Sequence, residues 1–344
     1  MKKKNFIAAF MIVFAVMLSS FAFYGYQVLY TPNILVDQED RMFAIEDGTT
    51  FKELQNKLYD QRIVNDLVSF SFLAKVKGFD REIKPGMYLF KKDMSNTEAI
   101  NMLRAGIQTP VKLTFNNARK IEELASKLTF PLQIDSADIA PLLMSDSVAQ
   151  AYGLTANTFI CMFLPNTYEV YWTASPKDIL DRMKKEYDRY WNDTRIAQAA
   201  ALGLTPTEAS TLASIVDAET NKMDEAPTIA GVYLNRLKKG YKLQADPTLV
   251  FAIGDFSIRR ILNKDKDFES PYNTYKYRGL PPGPINMPSI AALEAVLNAE
   301  EHRYLYFCAK DDFSGYHAFA KTLEEHNVNA ARFQRALNME RIYR

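Results

Sequence analysis

Histidine, cysteine and tryptophan are scarce in this 344-residue chain, at three, two and two copies. The histidines, His302, His317 and His326, are not at helical ligand spacing, and no HExxH occurs, so no metal site is expected. Cys161 and Cys308 belong to no CxxC or Cys/His cluster, which removes zinc and thioredoxin-like chemistry. A single disulfide and two free buried thiols both stay open. Neither GxSxG nor SxxK occurs, so serine acyl transfer is unsupported. An excess of one charge is lacking too. With 42 basic and 41 acidic residues the net charge is +1, which gives no electrostatic reason for a nucleic-acid partner. No cofactor-binding pattern is expected. What the chain has is 48% hydrophobic residues, enough for one large or two medium cores. Its 19 Tyr and 22 Phe supply core and candidate sugar-stacking platforms.

The longest hydrophobic run lies at the start. Lys2, Lys3 and Lys4 precede an uncharged stretch at about 6–26, and the next charged residue is Asp37. About 20 apolar residues at about 1.5 Å rise each span a bilayer core. The leading lysines favour a cytoplasmic N-terminus, with everything after about residue 30 outside. A cleaved signal peptide is the rival, with SFA (20–22) as a small-x-small site, but the run exceeds the usual h-region. The expected localisation is the bacterial inner membrane, single-pass, with an extracytoplasmic working part.

Beyond a polar linker, residues 41–108 alternate strand-like and helical pieces. Residues 42–45 suit a strand. Thr50 and Glu53 form a capping box ahead of Leu54 and Leu58 at helical spacing. Asn65 is placed to cap a second helix carrying Leu67, Val68, Phe72 and Val76, with Gly78 past its end. Residues 87–90 suit a strand after the KPG turn, and Ser95 with Glu98 opens a further helix that Gly106 ends. This is a small α+β module without a catalytic constellation. From about 109 the chain is longer and mixed. A strand is expected at 111–115, and helices at 118–128 and about 176–192; 130–165 is hard to read. The stretch 241–290 is rich in Gly and Pro, a composition often found in loops shaped for a site. The expected architecture is therefore α+β: tail 1–5, transmembrane helix 6–28, linker 29–40, small subdomain 41–108 and larger mixed α+β catalytic domain 109–344.

Residues 205–220 carry the strongest local pattern. Thr205 is an N-cap, Pro206 fits the first helical position, and Glu208 completes a capping box. Leu212, Ile215, Val216 and Glu219 then recur at helical spacing. At about 100° per residue, Glu219 falls within roughly 20° of Leu212, whereas Asp217 lies about 140° away. A carboxyl on an apolar stripe is desolvated, which raises its pKa and suits it to general acid work near neutral pH. A rim glutamate pairing with a base is the plainer reading.

The string LASIVDAET (212–220) resembles the active-site helix of the YceG-like family, the MltG-type endolytic murein transglycosylases. AGVYLNRL (230–237), LQADPT (243–248), PYNTY (271–275), GLPPGPI (279–285), YLYF (304–307), HAF (317–319) and FLPNTY (163–168) match further family motifs in order. The resemblance covers about 160–327, and 41–108 resembles the family's LysM-like subdomain. Two positions depart from it. Asp217 stands where the family often has Glu, and Asn166 where Asp is common.

The resemblance implies a lyase cleaving the MurNAc–GlcNAc β-1,4 bond of peptidoglycan with 1,6-anhydroMurNAc ends. Protonated Glu219 would donate to the leaving oxygen and then accept the proton of the sugar's own 6-hydroxyl, relaxing the two-carboxylate scheme. Asn235, Gln244, Asp246, Thr248, Tyr272 and Asn273 are candidate substrate contacts, Tyr275 and Tyr168 candidate stacking platforms, and His317 and His326 candidates for the border of the site. A loop-bracing role competes at each. Implied partners are peptidoglycan glycan strands, membrane lipid and cell-wall synthases of elongation or division. Two alternatives stand beside this: a two-carboxylate glycosidase with Asp246 as second carboxylate, and a non-catalytic wall-binding scaffold.

Overall fold

The computed structural model describes residues 2–258 and 261–340. It is a mixed α+β structure that divides into two compact units, the first holding residues up to 113 with short returns at 131–134 and 169–174. Unit 1 begins with α1 (Lys2–Tyr30), followed by β1 (Pro32–Ile34), β2 (Arg41–Ile45), α2 (Phe51–Asp60), α3 (Leu67–Val76), β3 (Gly86–Phe90), β4 (Met94–Ser95) and α4 (Asn96–Ala105). α1 is long and apolar enough to cross a membrane, and none of its most apolar window is buried. β2 and β3 pair antiparallel from Arg41↔Phe90 to Ile45↔Gly86, and β1 pairs with β4. Thr50 and Ser95 form the expected capping boxes, and Gly106 ends α4 in the left-handed conformation.

The cap of α3 is Asp66 rather than Asn65. Ile34 bridges Val64, and the Asn65 amide donates to the Asn33 carbonyl, so the chain stays extended one residue longer than its pattern suggests. The Asp66 carboxylate then accepts from the amides of Val68 and Ser69 at 3.0 and 3.3 Å. Phe70, Leu73 and Ala74 of α3 enter a core with Leu54, Leu58, Phe79, Tyr88, Phe90, Ile100 and Leu103. The last turn of α1 enters the same core through Val28. A buried polar cluster locks that joint. The Asn33 amide group donates to Asn96 Oδ1 at 2.7 Å, and Asn96 Nδ2 donates to the Val28 carbonyl at 3.0 Å and to the Ser69 hydroxyl at 3.1 Å. Buried amides that are mutually satisfied in this way fix one geometry.

The chain leaves unit 1 in β5 (Val111–Phe115). There follow α5 (Ile121–Thr129), α6 (Ser136–Leu143), α7 (Asp146–Ala151), β6 (Asn166–Val170), α8 (Pro176–Tyr190), α9 (Asp193–Ala201), α10 (Pro206–Glu219), α11 (Ala226–Lys238), α12 (Asp246–Ile253), α13 (Ile290–Leu297), β7 (Tyr306–Ala309), β8 (His317–Ala320) and α14 (Leu323–Met339). β5 pairs with β6, and β7 with β8 in antiparallel register from Tyr306↔Ala320 to Ala309↔His317. α5 starts at Ile121, later than residue 118, because the Ala118 carbonyl is engaged by the Met287 amide. α8 stops at Tyr190, since Asn192 already caps α9. α6 and α7 are too short to show a clear period, and α6 contains Pro141.

α10 is the centre of unit 2. Its eight residues from 209 to 216 are all buried, against α9, α11, α12 and α13 among others. The middle of the helix is thus enclosed on every side rather than along one stripe, while its first turn, with Glu208 exposed, and its last turn reach open space. The GLPPGPI loop is tied to it: Ser214 Oγ accepts from the Ile285 amide at 3.0 Å, and Asn286 Nδ2 donates to the Ser214 carbonyl at 3.2 Å. Gly283 is needed there for closeness, as a Cβ would come within 2.0 Å of the Asn157 carbonyl oxygen.

Candidate active site

Glu219 is the final residue of α10, and Thr220 leaves the helix in extended geometry. The helix therefore delivers this carboxyl at the point where its enclosure ends. Glu219 lines a cavity of about 430 Å³ together with Tyr233 and Arg236 from α11, Gln244 and Asp246, Tyr275, β7, His317 and His326. Glu219 and Asp246 also line a second cavity of about 350 Å³, whose walls include Arg119, Pro247, Val250, Phe251, Phe256, Ile285 and Asn286. Polar and aromatic groups edge the first space; apolar side chains outnumber polar ones around the second, yet polar groups present more of the surface in both.

Tyr233 is 2% exposed and donates its hydroxyl to Glu219 Oε1 at 2.6 Å. Its ring stands edge-on to Phe307 at 5.8 Å, which holds the hydroxyl in place. Burial pushes the Glu219 carboxyl up to about 7; the Tyr233 hydrogen bond opposes that rise and the nearby Asp246 charge adds to it. Glu219 keeps a little solvent contact at the cavity wall, but the protein packed around it replaces most of its hydration. Burial, with the Glu219 charge next to it, also raises the Tyr233 phenol, so Tyr233 stays a donor. Tyr275 donates to Asp246 Oδ1, and burial followed by that carboxylate raises its phenol.

Asp217 points away, as the helical geometry predicts. Its carboxylate accepts from Ser289 Oγ at 2.6 Å, next to the start of α13. Of the other expected residues, Gln244, Asp246 and Tyr275 line the first cavity with Glu219. Gln244 adopts a positive φ of 53°, and its side chain accepts from Arg236. Asn235, Thr248, Tyr272, Asn273 and Tyr168 line neither cavity. Asn235 donates to the carbonyls of His302 and Tyr304 at 2.8 and 3.1 Å, fastening α11 to the segment before β7. Thr248 is fully buried and bonds the Ala245 carbonyl and Thr274. Asn273, also fully buried, holds the carbonyls of Lys266 and Phe268 and the Tyr275 amide. Tyr272 packs against Phe251 with the two rings tilted and their centres 4.8 Å apart. Tyr168 stacks on Phe115 and donates to the Leu164 carbonyl at 2.6 Å. The first four brace segments whose other residues reach the cavities; Tyr168 instead joins β6 to Phe115 of β5 and to Leu164.

Several cavity residues, Tyr233 and Arg236 among them, escaped the sequence reading, whereas His317 and His326, expected at the border of the site, do line the first cavity. Tyr233 and Arg236 sit inside the AGVYLNRL string, three apart and so on one face of α11, which was the available signal. Arg236 is 8% exposed, and its guanidinium spends three bonds on neutral oxygens of Lys242, Leu305 and Gln244. His317 and the buried Glu225 are 92 residues apart, and no local pattern joins them. Glu225 accepts from the His317 amide at 3.0 Å, pairs with His317 Nδ1 at 2.7 Å, and accepts from the Thr220 hydroxyl at 2.8 Å. That clamp fixes the His317 ring beside the cavity. Cys161 and Cys308 are both free thiols. Among the described residues no group of three or more His, Cys, Asp or Glu is placed to hold a metal ion.

A family description, the YceG-like family, matches residues 43–332. The chain is 28% identical over 371 aligned residues to the endolytic murein transglycosylase of Streptococcus pneumoniae serotype 2 (strain D39 / NCTC 7466), covering 95% of this chain and 65% of that protein. It is 39% identical over 154 residues to the endolytic murein transglycosylase of Bacillus subtilis (strain 168), covering 45% of this chain and 42% of that one. The chain thus spans less than two thirds of the length of these relatives. The crystal structure of a yceG-like protein from Listeria monocytogenes is similar with a TM-score of 0.56 and 28% identity, covering 84% of this chain and 98% of that one.

Proposed function

The chain belongs to the YceG-like family, and from that premise we propose that it is an endolytic lytic transglycosylase acting on peptidoglycan. The observation that carries the proposal is Glu219, a carboxyl lifted to about 7 that lines two cavities at once. An acid that still holds its proton near neutrality can protonate a glycosidic oxygen. Cavities on both flanks suit a polymer that continues beyond the broken bond in each direction, which is what internal cleavage of a strand requires.

In this mechanism Glu219 donates its proton to the oxygen of the MurNAc–GlcNAc β-1,4 bond as the bond to the anomeric carbon breaks. The sugar's 6-hydroxyl attacks that carbon and closes the 1,6-anhydro ring. Its proton passes to the Glu219 carboxylate, which restores the acid. Tyr233 occupies Oε1, so the transferable proton resides on Oε2. Acid/base catalysis of this kind typically supplies about 10²–10⁴-fold, and the remainder comes from orientation and polar contacts. Gln244, Asp246 and Tyr275 are the proposed substrate contacts from the original set, and Arg236 and His317 join them. Asn235, Thr248, Tyr272 and Asn273 act by holding the loops, and Tyr168 by joining β6 to β5.

In this proposal α1 is an uncleaved anchor with a cytoplasmic N-terminus, and the rest of the chain lies on the outer side of the membrane. The module at 41–108 is a LysM-like subdomain and 109–344 the catalytic domain; wall synthases of elongation or division are the expected protein partners. Digestion of purified sacculi tests the activity. Wild type should release fragments with anhydro ends, Glu219→Gln none, and Asp217→Asn an amount close to wild type. Reducing ends in their place would point to hydrolysis with Asp246 as second carboxylate.

A further inference from the structure

α3 is apolar on both faces. Phe70, Leu73 and Ala74 enter the core of unit 1, whereas Val68, Phe72 and Val76, spaced four apart, are 74%, 61% and 66% exposed. They form a stripe along one side of the helix, beside a cavity of about 440 Å³ that also takes in Gln55, Leu67 and Lys75. A contiguous exposed apolar stripe marks a surface with a partner.

We propose that the partner is the lipid bilayer itself, and that α3 lies in the interfacial layer on the outer side of the membrane with Val68, Phe72 and Val76 turned into it. The proposal rests on α1 being a retained anchor. Residues 6–26 of α1 rise about 31 Å, the thickness of a hydrocarbon core, which leaves Val28 about 3 Å beyond its edge. At that level one Asn96 amide nitrogen bonds both the Val28 carbonyl and the Ser69 hydroxyl of α3, so these two oxygens are no more than about 6 Å apart. The headgroup layer is itself about 5–7 Å deep. The buried cluster of Asn33, Ser69 and Asn96 therefore pins the first turns of α3 inside or next to that layer, whatever the tilt of α1. Tyr24, Tyr26 and Tyr30, all exposed at the end of α1, sit at the depth where aromatic side chains gather. Lys75, exposed on α3, can meet lipid phosphates from the same helix. In water the stripe would remain hydrated apolar surface; in the interface it is covered by acyl chains.

The test uses the full chain in vesicles of phosphatidylcholine and phosphatidylglycerol, with tryptophan introduced by Phe72→Trp and, separately, by Val76→Trp. Both positions are exposed, so the larger ring fits without repacking. Wild type, with its native Trp172 and Trp191, provides the background signal. Lipids brominated high on the acyl chain should quench the added emission at least twofold, and acrylamide should quench it weakly. Added emission that is untouched by brominated lipid and open to acrylamide overturns the proposal, and assigns the stripe to a glycan or protein partner in water. A chain that does not float with vesicles after alkaline washing overturns the anchor reading, and this proposal with it.

Discussion

Replacing Glu219 by Gln removes one ionisation while keeping the size of the side chain and its acceptor for the Tyr233 hydroxyl. The folded carboxyl stands at about 7 against an ordinary 4.5. Its folded value is raised, so between those two pH values the native state binds more proton than the unfolded chain, and stability falls as pH rises through the interval. Once pH passes about 7 the loss is complete. The gap is about 2.5 pH units at about 1.4 kcal/mol each, or about 3.5 kcal/mol in all. Glu219→Gln has no such loss. Denaturant unfolding of the full chain in detergent, read at Trp191 of unit 2, should find the variant more stable by about 1 kcal/mol at pH 5 and by about 3.5 kcal/mol at pH 8.5. The same variant should release no anhydro ends, so stability and activity move in opposite directions, as the proposed acid role of a carboxyl held against its solvation preference requires. An equal stability difference at both pH values would refute the reasoning, because it would mean that Glu219 ionises in the folded protein as it does in water.

Three further perturbations act on the same arrangement. Tyr233→Phe deletes the hydrogen bond that lowers the Glu219 pKa, so the alkaline limb of kcat/KM should move upward by about one pH unit; a limb that stays in place would separate Tyr233 from the acid. Asp246→Asn removes the charge that raises the Glu219 pKa, so the limb should move below that of wild type, in the opposite direction, when both are titrated side by side. Gly283→Ala forces a methyl to within 2.0 Å of the Asn157 carbonyl, and should cost about 1–3 kcal/mol in the same unfolding assay; an unchanged midpoint would show that the loop gives way freely.

Local chemistry was legible wherever one short segment contained all of it. The capping boxes at Thr50, Ser95 and Thr205 occur as read, because cap and partner are three residues apart and need nothing from the rest of the chain. Asp217 and Glu219 diverge as the 100° step requires, one toward Ser289 and the other into the cavity. Competition from outside the segment defeated the same reasoning elsewhere. Asn65 lost its cap role to Asp66 because of the extended contacts of Val64 and Asn65, and α10 proved buried all round because other helices and the GLPPGPI loop enclose it.

The order of motifs, the apolar length of α1 and the divergence of Glu219 from Asp217 around α10 are properties of the chain taken segment by segment, and the sequence alone determined them. Which polar residues face the cavity was decided only by tertiary structure. Asn235, Thr248 and Asn273 look like binding residues in a string of letters, yet their polar atoms are taken by nearby carbonyls and hydroxyls, since a buried donor or acceptor must find a partner. Tyr233, Arg236 and the Glu225–His317 clamp reach the site through packing between segments as much as 92 residues apart, a pairing that no local period encodes.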